Sequence, residues 1–393
     1  MKILANDGLV EEGVDLLTKA GFKLDTVKRD EKDLVKEIGN FDALLVRSAT
    51  KVTREVLEAG AAGKLKVVGR GGVGTDNIDL EAAKELGVLV KFAPHGNTNA
   101  AAEHTIALMF AVARNVPQAH ADLRNGVWNK KKYVGVELAG KTLGVVGCGR
   151  IGQSVAGKAR ALGMKTIGYD QYRMVDSNVE YVDDIADLYR ESDFVTLHTG
   201  GTAVIVGDDE FKLMKRSAFL INASRGKNVS EKALIAALER GGIAGAALDC
   251  FEKEAKRDGQ PFESRLREMD NVVMCSHLGA STKAAARRTG LEVAEVVRDY
   301  LISGSFVNSV NVGSTVEEEG QKVYTIYITH QDQPGMFGRF GTTLGEMGVN
   351  IRENNSRKLG KDTVQTVYLL HKKPTKDVLK AMAAIDGVVR VTD

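Results

Sequence analysis

The sequence predicts an α/β protein of two doubly wound, parallel-sheet lobes followed by a small βαββαβ unit. Three observations predict it. Short apolar runs alternate with longer helix-like segments, a glycine-rich turn joins one such run to a helix in mid-chain, and the order of elements changes after residue 320.

The first strand candidates are Lys2–Ala5, Ala43–Arg47, Leu65–Gly69 and Val88–Phe92, with helical patterns such as Glu12–Lys19 and Thr53–Ala59 between them. Parallel strands need crossover connections, and crossover helices cover both faces of the sheet. A long helix is expected over about Asn99–Arg114, with Thr98, Asn99 and Glu103 as its N-terminal signals and Pro117 beyond its end. The alternation then restarts at Lys141–Val146, Lys165–Tyr169, Phe194–His198, Ala218–Asn222, Ala244–Leu248 and Val272–Cys275. Six strands in one block suit a complete Rossmann sheet. A further helix pattern covers Lys283–Ile302.

Residues 304–320 change character: Gly304, Ser305, Gly313, Ser314 and the run Glu317-Glu318-Glu319-Gly320 have linker composition. Beyond them come strand Val323–Thr329, helix Met336–Met347, strands Asn350–Arg357 and Thr363–Leu370, helix Thr375–Ile385 and strand Val388–Val391, the ferredoxin-like order. The expected organisation is a flavodoxin-like substrate domain, 1–96 with 283–305, interrupted by a Rossmann domain, 97–282. A linker, 306–321, and the ferredoxin-like unit, 322–393, follow.

Of 393 residues 27% are charged, and 54 Lys+Arg balance 52 Asp+Glu, so nucleic acid and anionic membrane are not expected partners. Cys148, Cys250 and Cys275 are odd in number, far apart and free of any CxxC pair, which predicts neither disulfides nor a metal site and fits a reducing compartment. The apolar run within Met1–Asp7 is too short for a signal peptide, and no stretch approaches the ~18 apolar residues of a membrane span, so a cytoplasmic location is expected.

Two stretches match G-x-G-x-x-G. The one from Gly147 to Gly152 follows an apolar strand, opens a helix, and is followed by a second strand ending in Asp170. Gly147 permits the tight turn, Gly149 lets backbone approach a pyrophosphate, and Gly152 lets helix and strand pack. The helix N-terminus faces phosphates, and the acid accepts bonds from ribose hydroxyls. That carboxylate would repel a 2′-phosphate, which predicts NAD over NADP. The match from Gly69 to Gly74 lacks this context: 18 residues beyond Gly74 stands Phe92, not an acid. It is expected to be a turn at a strand end lining a cleft.

Three chemically loaded residues follow strand ends, where doubly wound sheets bind ligands. Arg225 offers a guanidinium fork suited to a carboxylate, His277 an acid–base group near neutral pH, and Glu254 a carboxylate to orient an imidazole. Each alone is more often an ordinary loop or structural residue.

Together they resemble the D-2-hydroxyacid dehydrogenase family, which sets the arginine 29 residues before the glutamate (225 to 254) and the histidine 23 after it (254 to 277). The resemblance implies Arg225 on the substrate carboxylate, His277 as proton donor and acceptor, and Glu254 as its partner. It implies Arg150, Ile151, Thr199, Ala223, Ser224, Asp249, Gly279 and Ala280 around NAD, with Gly147, Gly149, Gly152 and Asp170. The stretches Val46–Thr53, Thr75–Asp79, Gly140–Gly144 and His277–Thr282 narrow the likeness to the branch that oxidises 3-phospho-D-glycerate to 3-phosphohydroxypyruvate, the first step of L-serine biosynthesis. That branch implies Arg47, Ser48, Arg70, Gly71, Gly72 and Asn97 on the substrate side, and a homodimer or homotetramer.

This chain departs from the family pattern at four places. Cys148 stands where Leu is common, Val73 where a polar residue is often found, and Ser276 where Pro usually precedes the histidine. The connector Thr199–Val204 is glycine-rich and shorter, which bears on cofactor affinity. Residues 322–393 resemble an ACT domain, which implies a regulatory or oligomerisation role for that unit; such domains often pair edge to edge and bind an amino acid between them. By that match His330, Asp332 and Asn350 would line a site for L-serine, with Asp332 replacing the more usual Asn. The same core would also serve a glyoxylate or hydroxypyruvate reductase, another D-2-hydroxyacid dehydrogenase, or a non-catalytic NAD-sensing regulator.

Overall fold

The structure is a computed structural model. It describes all residues except 172, 175, 176, 256–258, 304, 306, 307, 312–315, 319, 320, 359–361 and 393. The chain divides into two compact units, Met1–Asn97 with Ala286–Asp393, and Thr98–Ala285.

The first unit begins with strands β1 (Lys2–Ala5), β2 (Lys23–Asp25), β3 (Ala43–Val46), β4 (Val67–Arg70) and β5 (Leu89–Phe92), interleaved with helices α1 (Glu11–Lys19), α2 (Glu31–Glu37), α3 (Arg54–Ala61) and α4 (Leu80–Glu85). All strand pairs are parallel, in the order β2-β1-β3-β4-β5. This is the flavodoxin-like order, whose direction reverses between β1 and β3. Every residue of β3 is buried, as in sheets covered on both faces. Helices α2 and α4 escape the sequence pattern; each is short, with Asp30 and Asp79 capping their first turns.

The second unit holds α5 (Thr98–Ala113), α6 (Val116–Arg124), β6 (Thr142–Val146), α7 (Arg150–Ala161), β7 (Lys165–Tyr169), β8 (Glu180–Tyr181), α8 (Ile185–Glu191), β9 (Phe194–Leu197), α9 (Asp208–Leu213), β10 (Phe219–Asn222), α10 (Glu231–Glu239), β11 (Gly245–Leu248) and β12 (Val272–Met274). The sheet is parallel throughout, in the order β12-β11-β10-β9-β6-β7-β8. Its switch point lies between β6 and β9, which puts the Gly147 turn where open α/β sheets bind ligands. The sheet has seven strands rather than six, because the two-residue edge strand β8 carries too little pattern to read. Pro117 lies beyond the end of α5, as expected. It sits in the first turn of α6, where its missing N–H costs no hydrogen bond.

Helix α11 (Lys283–Ser303) packs Val293, Ala294, Val297 and Leu301 into the core of the first unit. A Cβ on Gly69 would lie 2.6 Å from Val297, so the first G-x-G-x-x-G is partly a strand that α11 presses against. The expected linker is structured in part. The Val310 N–H donates to the Val90 carbonyl (2.9 Å) and the Phe92 N–H to that of Asn308 (3.0 Å), an antiparallel extension beside β5. Strand β13 (Val316–Glu318) pairs with β14 (Gln321–Gln331). Gly304, Gly313, Ser314, Glu319 and Gly320 of that expectation lie outside the described residues.

The tail continues with α12 (Met336–Glu346), β15 (Ile351–Lys358), β16 (Thr363–Leu370), α13 (Lys376–Ala383) and β17 (Val388–Thr392). Its antiparallel sheet runs β15-β16-β14-β17, the ferredoxin-like arrangement. Ile326, Phe340, Leu344, Tyr368 and Met382 fill its own core. Among the described residues no helix is long and apolar enough to cross a membrane.

Candidate active site

The glycine turn shows three separate requirements. Gly147 has φ +89°, and a Cβ there would meet the His198–Thr199 backbone at 2.7–2.9 Å. A Cβ on Gly152 would lie 2.2 Å from the Gly147 carbonyl oxygen, so α7 could not approach β6. A Cβ on Gly149 would meet nothing within 4 Å: this glycine is demanded not by the fold but by whatever approaches the turn. Gly149 caps α7 with no side-chain hydrogen bond, and a helix N-terminus of this kind suits an anion. Asp170 follows β7 and accepts the Cys148 N–H (2.7 Å), so the acid sits at the same turn. Arg150 and Ile151 open α7, and Ala223 packs partly on the core. These residues fit a dinucleotide.

Beyond β9 and β10, Asn228 ties the connector. It accepts from the hydroxyls of Thr199 (3.1 Å) and Ser224 (3.3 Å), and its amide donates to the Ala203 carbonyl (2.8 Å). Arg225 is held by its own loop: Asn222 Nδ2 donates to its carbonyl (2.9 Å), and its Nη1 donates to the Ser224 carbonyl (2.9 Å). A Cβ on Gly226 would collide with the Phe251 carbonyl at 1.8 Å. That close approach brings the Arg225 loop against the loop carrying Glu254.

His277 follows β12 in a left-handed conformation, φ +57°, uncommon for a non-glycine residue. Its Nδ1 lies 3.0 and 3.1 Å from the two Glu254 oxygens. Contact with Cys250 first and Glu254 second raises the imidazole to about 10. Burial pushes the Cys250 thiol up, so the charge beside His277 comes from Glu254. Burial tends to raise Glu254, but His277 outweighs it and the carboxylate is lowered. With Nδ1 committed to Glu254, Nε2 is the atom left for acid–base work.

The strained His277 backbone is fixed by Asp249, which is 1% exposed. The Asp249 carbonyl accepts the His277 N–H (2.9 Å), and its carboxylate accepts the N–H groups of Leu278 (2.7 Å) and Gly279 (2.8 Å). His104 Nε2 on α5 lies 3.0 Å from the same carboxylate. That contact, with a smaller one from Cys275, raises His104 to about 9. Burial works against the Asp249 charge, but His104 and the two N–H groups outweigh it and hold the carboxyl low. Sequence reasoning missed His104 as a site residue: it stands 145 residues from Asp249.

In the first unit, Arg47 follows β3. Its N–H donates to Asp7 (2.8 Å), and Asn77 Nδ2 donates to its carbonyl (2.8 Å). Ser48 is exposed beside it. Arg47 and Gly71 line a cavity of about 240 Å³ with Asp7, Leu45 and Thr289, at the carboxyl ends of β1 and β3 where this sheet reverses direction. Arg70 ends β4, its Nη1 donating to the Gly71 carbonyl (3.1 Å); a Cβ on Gly72 would strike that guanidinium. Asn97 belongs to a segment pinned by Glu292, which accepts the N–H groups of His95 (3.0 Å) and Gly96 (2.9 Å) and lies 2.6 Å from His95 Nδ1. The Asn97 Oδ1 atom is buried and has no hydrogen-bond partner among the described residues.

In the tail, His330 is a buried core residue. Its Nδ1 lies 2.8 Å from the Gln331 carbonyl, its Nε2 lies 2.8 Å from Thr366 Oγ1, and its ring meets Phe340 edge-on at 4.9 Å. The Asp332 N–H donates to the Asp362 carbonyl (2.9 Å) at the same sheet end. Asn350 is elsewhere. His330 pairs with Val364 and Ile351 with Leu370, six residues apart on β16, or about 20 Å along a strand. One copy of the tail does not bring these three residues together.

Fold and turn define a dinucleotide-binding α/β domain with an acid–base pair beyond its strands. Residues 106–279 match the model of the D-isomer specific 2-hydroxyacid dehydrogenase NAD binding domain, and residues 324–387 that of the ACT domain. A D-3-phosphoglycerate dehydrogenase of Methanocaldococcus jannaschii is 44% identical over 326 residues, 81% of this chain and 61% of that protein. The chain thus spans about three fifths of the length of the first curated relatives it matches. Among solved structures, the TT0316 protein from Thermus thermophilus superposes with TM-score 0.70 at 31% identity, over 79% of this chain and all of that one. An NAD+-bound 3-phosphoglycerate dehydrogenase of Entamoeba histolytica superposes with TM-score 0.66 at 26% identity, over 79% of this chain and 98% of that one. The chain belongs to the D-isomer specific 2-hydroxyacid dehydrogenase family. Residues 106–279 are thus an NAD binding domain of that family.

Proposed function

We propose that this chain oxidises 3-phospho-D-glycerate to 3-phosphohydroxypyruvate, the step that opens L-serine biosynthesis. The observation that carries the reading is the His277–Glu254 pair at 3.0 Å, set just past β12 in a sheet whose glycine turn fits a dinucleotide. The name of the M. jannaschii relative supports the choice of substrate.

NAD, when bound, supplies the hydride acceptor. The Gly147–Gly152 turn and the first turn of α7 hold its pyrophosphate, and Asp170 takes the adenosine ribose and disfavours a 2′-phosphate. Thr199, Ala223, Ser224, Asp249, Gly279 and Ala280 complete that side. Arg225 grips the substrate carboxylate and polarises the C2 oxygen. His277 Nε2 takes the C2 hydroxyl proton in oxidation and returns it in reduction, while Glu254 holds the ring by Nδ1 and supports its positive charge. Arg47 and Arg70, with Ser48, Gly71, Gly72 and Asn97, take the phosphate end.

Replacing His277 with Ala should cut turnover by ~10²–10⁴ and leave NADH binding largely intact. The rate with 3-phosphoglycerate against that with glycerate, and with phosphohydroxypyruvate against hydroxypyruvate or glyoxylate, separates this substrate from the unphosphorylated alternatives. Preference for the unphosphorylated acids would refute the role of Arg47 and Arg70.

The protein works as a homo-oligomer in the cytoplasm, by this reading. Exposed Leu123 (58%) on α6, with Trp128 (82%) and Val134 (83%) in the segment that follows it, supports self-association. The match to an ACT domain supports L-serine binding in the tail, and because His330 and Asp332 of one copy lie far from its own Asn350, the ligand by this reading sits between two copies. Equilibrium dialysis with labelled L-serine tests this; no saturable binding would leave oligomerisation as the tail's role.

A further inference from the structure

One thiol stands beside the acid–base pair with no part in the mechanism above. Cys250 follows β11, is 2% exposed, and points its Sγ toward the Ser224 carbonyl at 3.4 Å. Its sulfur, a Glu254 carboxylate oxygen and a His277 ring nitrogen all lie within 4.8 Å of one another. We propose that Cys250, Glu254 and His277 Nδ1 form a zinc-binding site, and that Zn²⁺ bound there inhibits the enzyme.

Thiolate, imidazole and carboxylate are the ligand types zinc prefers, at about 2.3, 2.0–2.1 and 2.0–2.2 Å. A tetrahedral ion therefore holds its ligand atoms about 3.3–3.7 Å apart. Nδ1 and the Glu254 oxygens, now 3.0–3.1 Å apart, need open by only a few tenths of an ångström. The His277 and Glu254 side chains are 51% and 39% exposed, so an ion can enter from solvent and keep a water as fourth ligand. On coordination the thiol and Nδ1 each lose a proton to solvent. A sulfur ligand selects zinc over magnesium or calcium, which take oxygen.

His104, Asp249 and Cys275 make a second such cluster. There the Asp249 oxygens already accept two backbone N–H groups and face His104, so an ion would have to break those bonds. The spacing of the cysteines predicts no metal site because no second cysteine lies near Cys250; Cys250 and Glu254 share the loop after β11, and His277 is brought to them from the loop after β12.

Zinc on Nδ1 displaces the hydrogen bond to Glu254 and removes that support from the imidazolium. Inhibition rests on His277 being the acid–base group; the binding itself does not. The test is therefore made on the chelator-stripped full chain without substrate or NAD. Zn²⁺ is titrated in competition with a chromogenic chelator, and Co²⁺ is used to look for thiolate charge-transfer absorption. Wild type is compared with Cys250→Val, Cys250→Ser and Cys275→Ser, each first checked by thermal melting. The expected result is zinc affinity at least about tenfold weaker in both Cys250 variants. Cys275→Ser should bind as wild type does, and the cobalt–thiolate band should vanish only with Cys250. Equal affinity in wild type and the Cys250 variants, or loss with Cys275→Ser alone, overturns the assignment. A chain that binds zinc through Cys250 yet forms no NADH from any 2-hydroxyacid would refute the dehydrogenase reading, and the inhibition with it, and leave the zinc site standing.

Discussion

Replacing Glu254 with Gln keeps the side chain's length and one acceptor oxygen while removing its charge. Nδ1 and the nearer Glu254 oxygen are 3.0 Å apart. Coulomb attraction at that distance is about 1.4 kcal/mol in bulk water and about 5.5 kcal/mol at an effective dielectric constant of 20. The two side chains are 51% and 39% exposed, which places the pair toward the watery end, at about 1.4–2.8 kcal/mol. That corresponds to about one to two pH units. The partner raises His277, so its loss lowers it. With His277 as the proposed acid–base group, oxidation needs the neutral ring, so kcat/KM for the hydroxyacid rises with pH through the His277 value; reduction needs the imidazolium and falls through it. In the variant both limbs should move acidward by one to two units. Following NADH absorbance across pH in both directions measures them. Limbs that stay in place, or move to higher pH, would refute the claim that the Glu254 charge sets the His277 proton affinity.

Three further outcomes follow from the same geometry. Gly149→Ala should melt like wild type but bind NADH weakly by fluorescence titration, because its Cβ meets no protein atom, whereas Gly152→Ala should lose fold stability, with its Cβ 2.2 Å from the Gly147 oxygen. His104→Gln should cost about 1–3 kcal/mol of stability in chemical denaturation near neutral pH. His104 is raised from 6.5 to about 9, so its stabilisation is complete below about 6.5 and is lost as pH rises through 9; the gap to wild type should close over that window. Arg225→Lys should raise KM for the keto acid more than for NADH, since an ammonium cannot grip a carboxylate at two points; steady-state kinetics with each substrate varied checks the split.

The sequence alone determined the parts of this protein that local periodicity encodes. Strands such as Ala43–Val46 and Phe194–Leu197 are buried on both faces and read as short unbroken apolar runs. The three glycine requirements at 147, 149 and 152 are local to one strand–turn–helix, so spacing was enough to find them. Arg225, Glu254 and His277 could be proposed together because each follows a strand end and their spacings resemble those of a known family; the contact of His277 with Glu254 was given by the structure. Short elements were lost: β8 has two residues and α4 six, too few for a period to repeat. Only the tertiary structure decided which distant side chains meet. His104 reaches Asp249 across 145 residues and His95 reaches Glu292 across 197, because sheet order and helix packing, not spacing, set those distances. Residues 308–311 have linker composition yet pair beside β5, whose open edge offers backbone groups that need partners. His277 takes a left-handed backbone because Asp249 ties down three successive N–H groups, a constraint composition does not record.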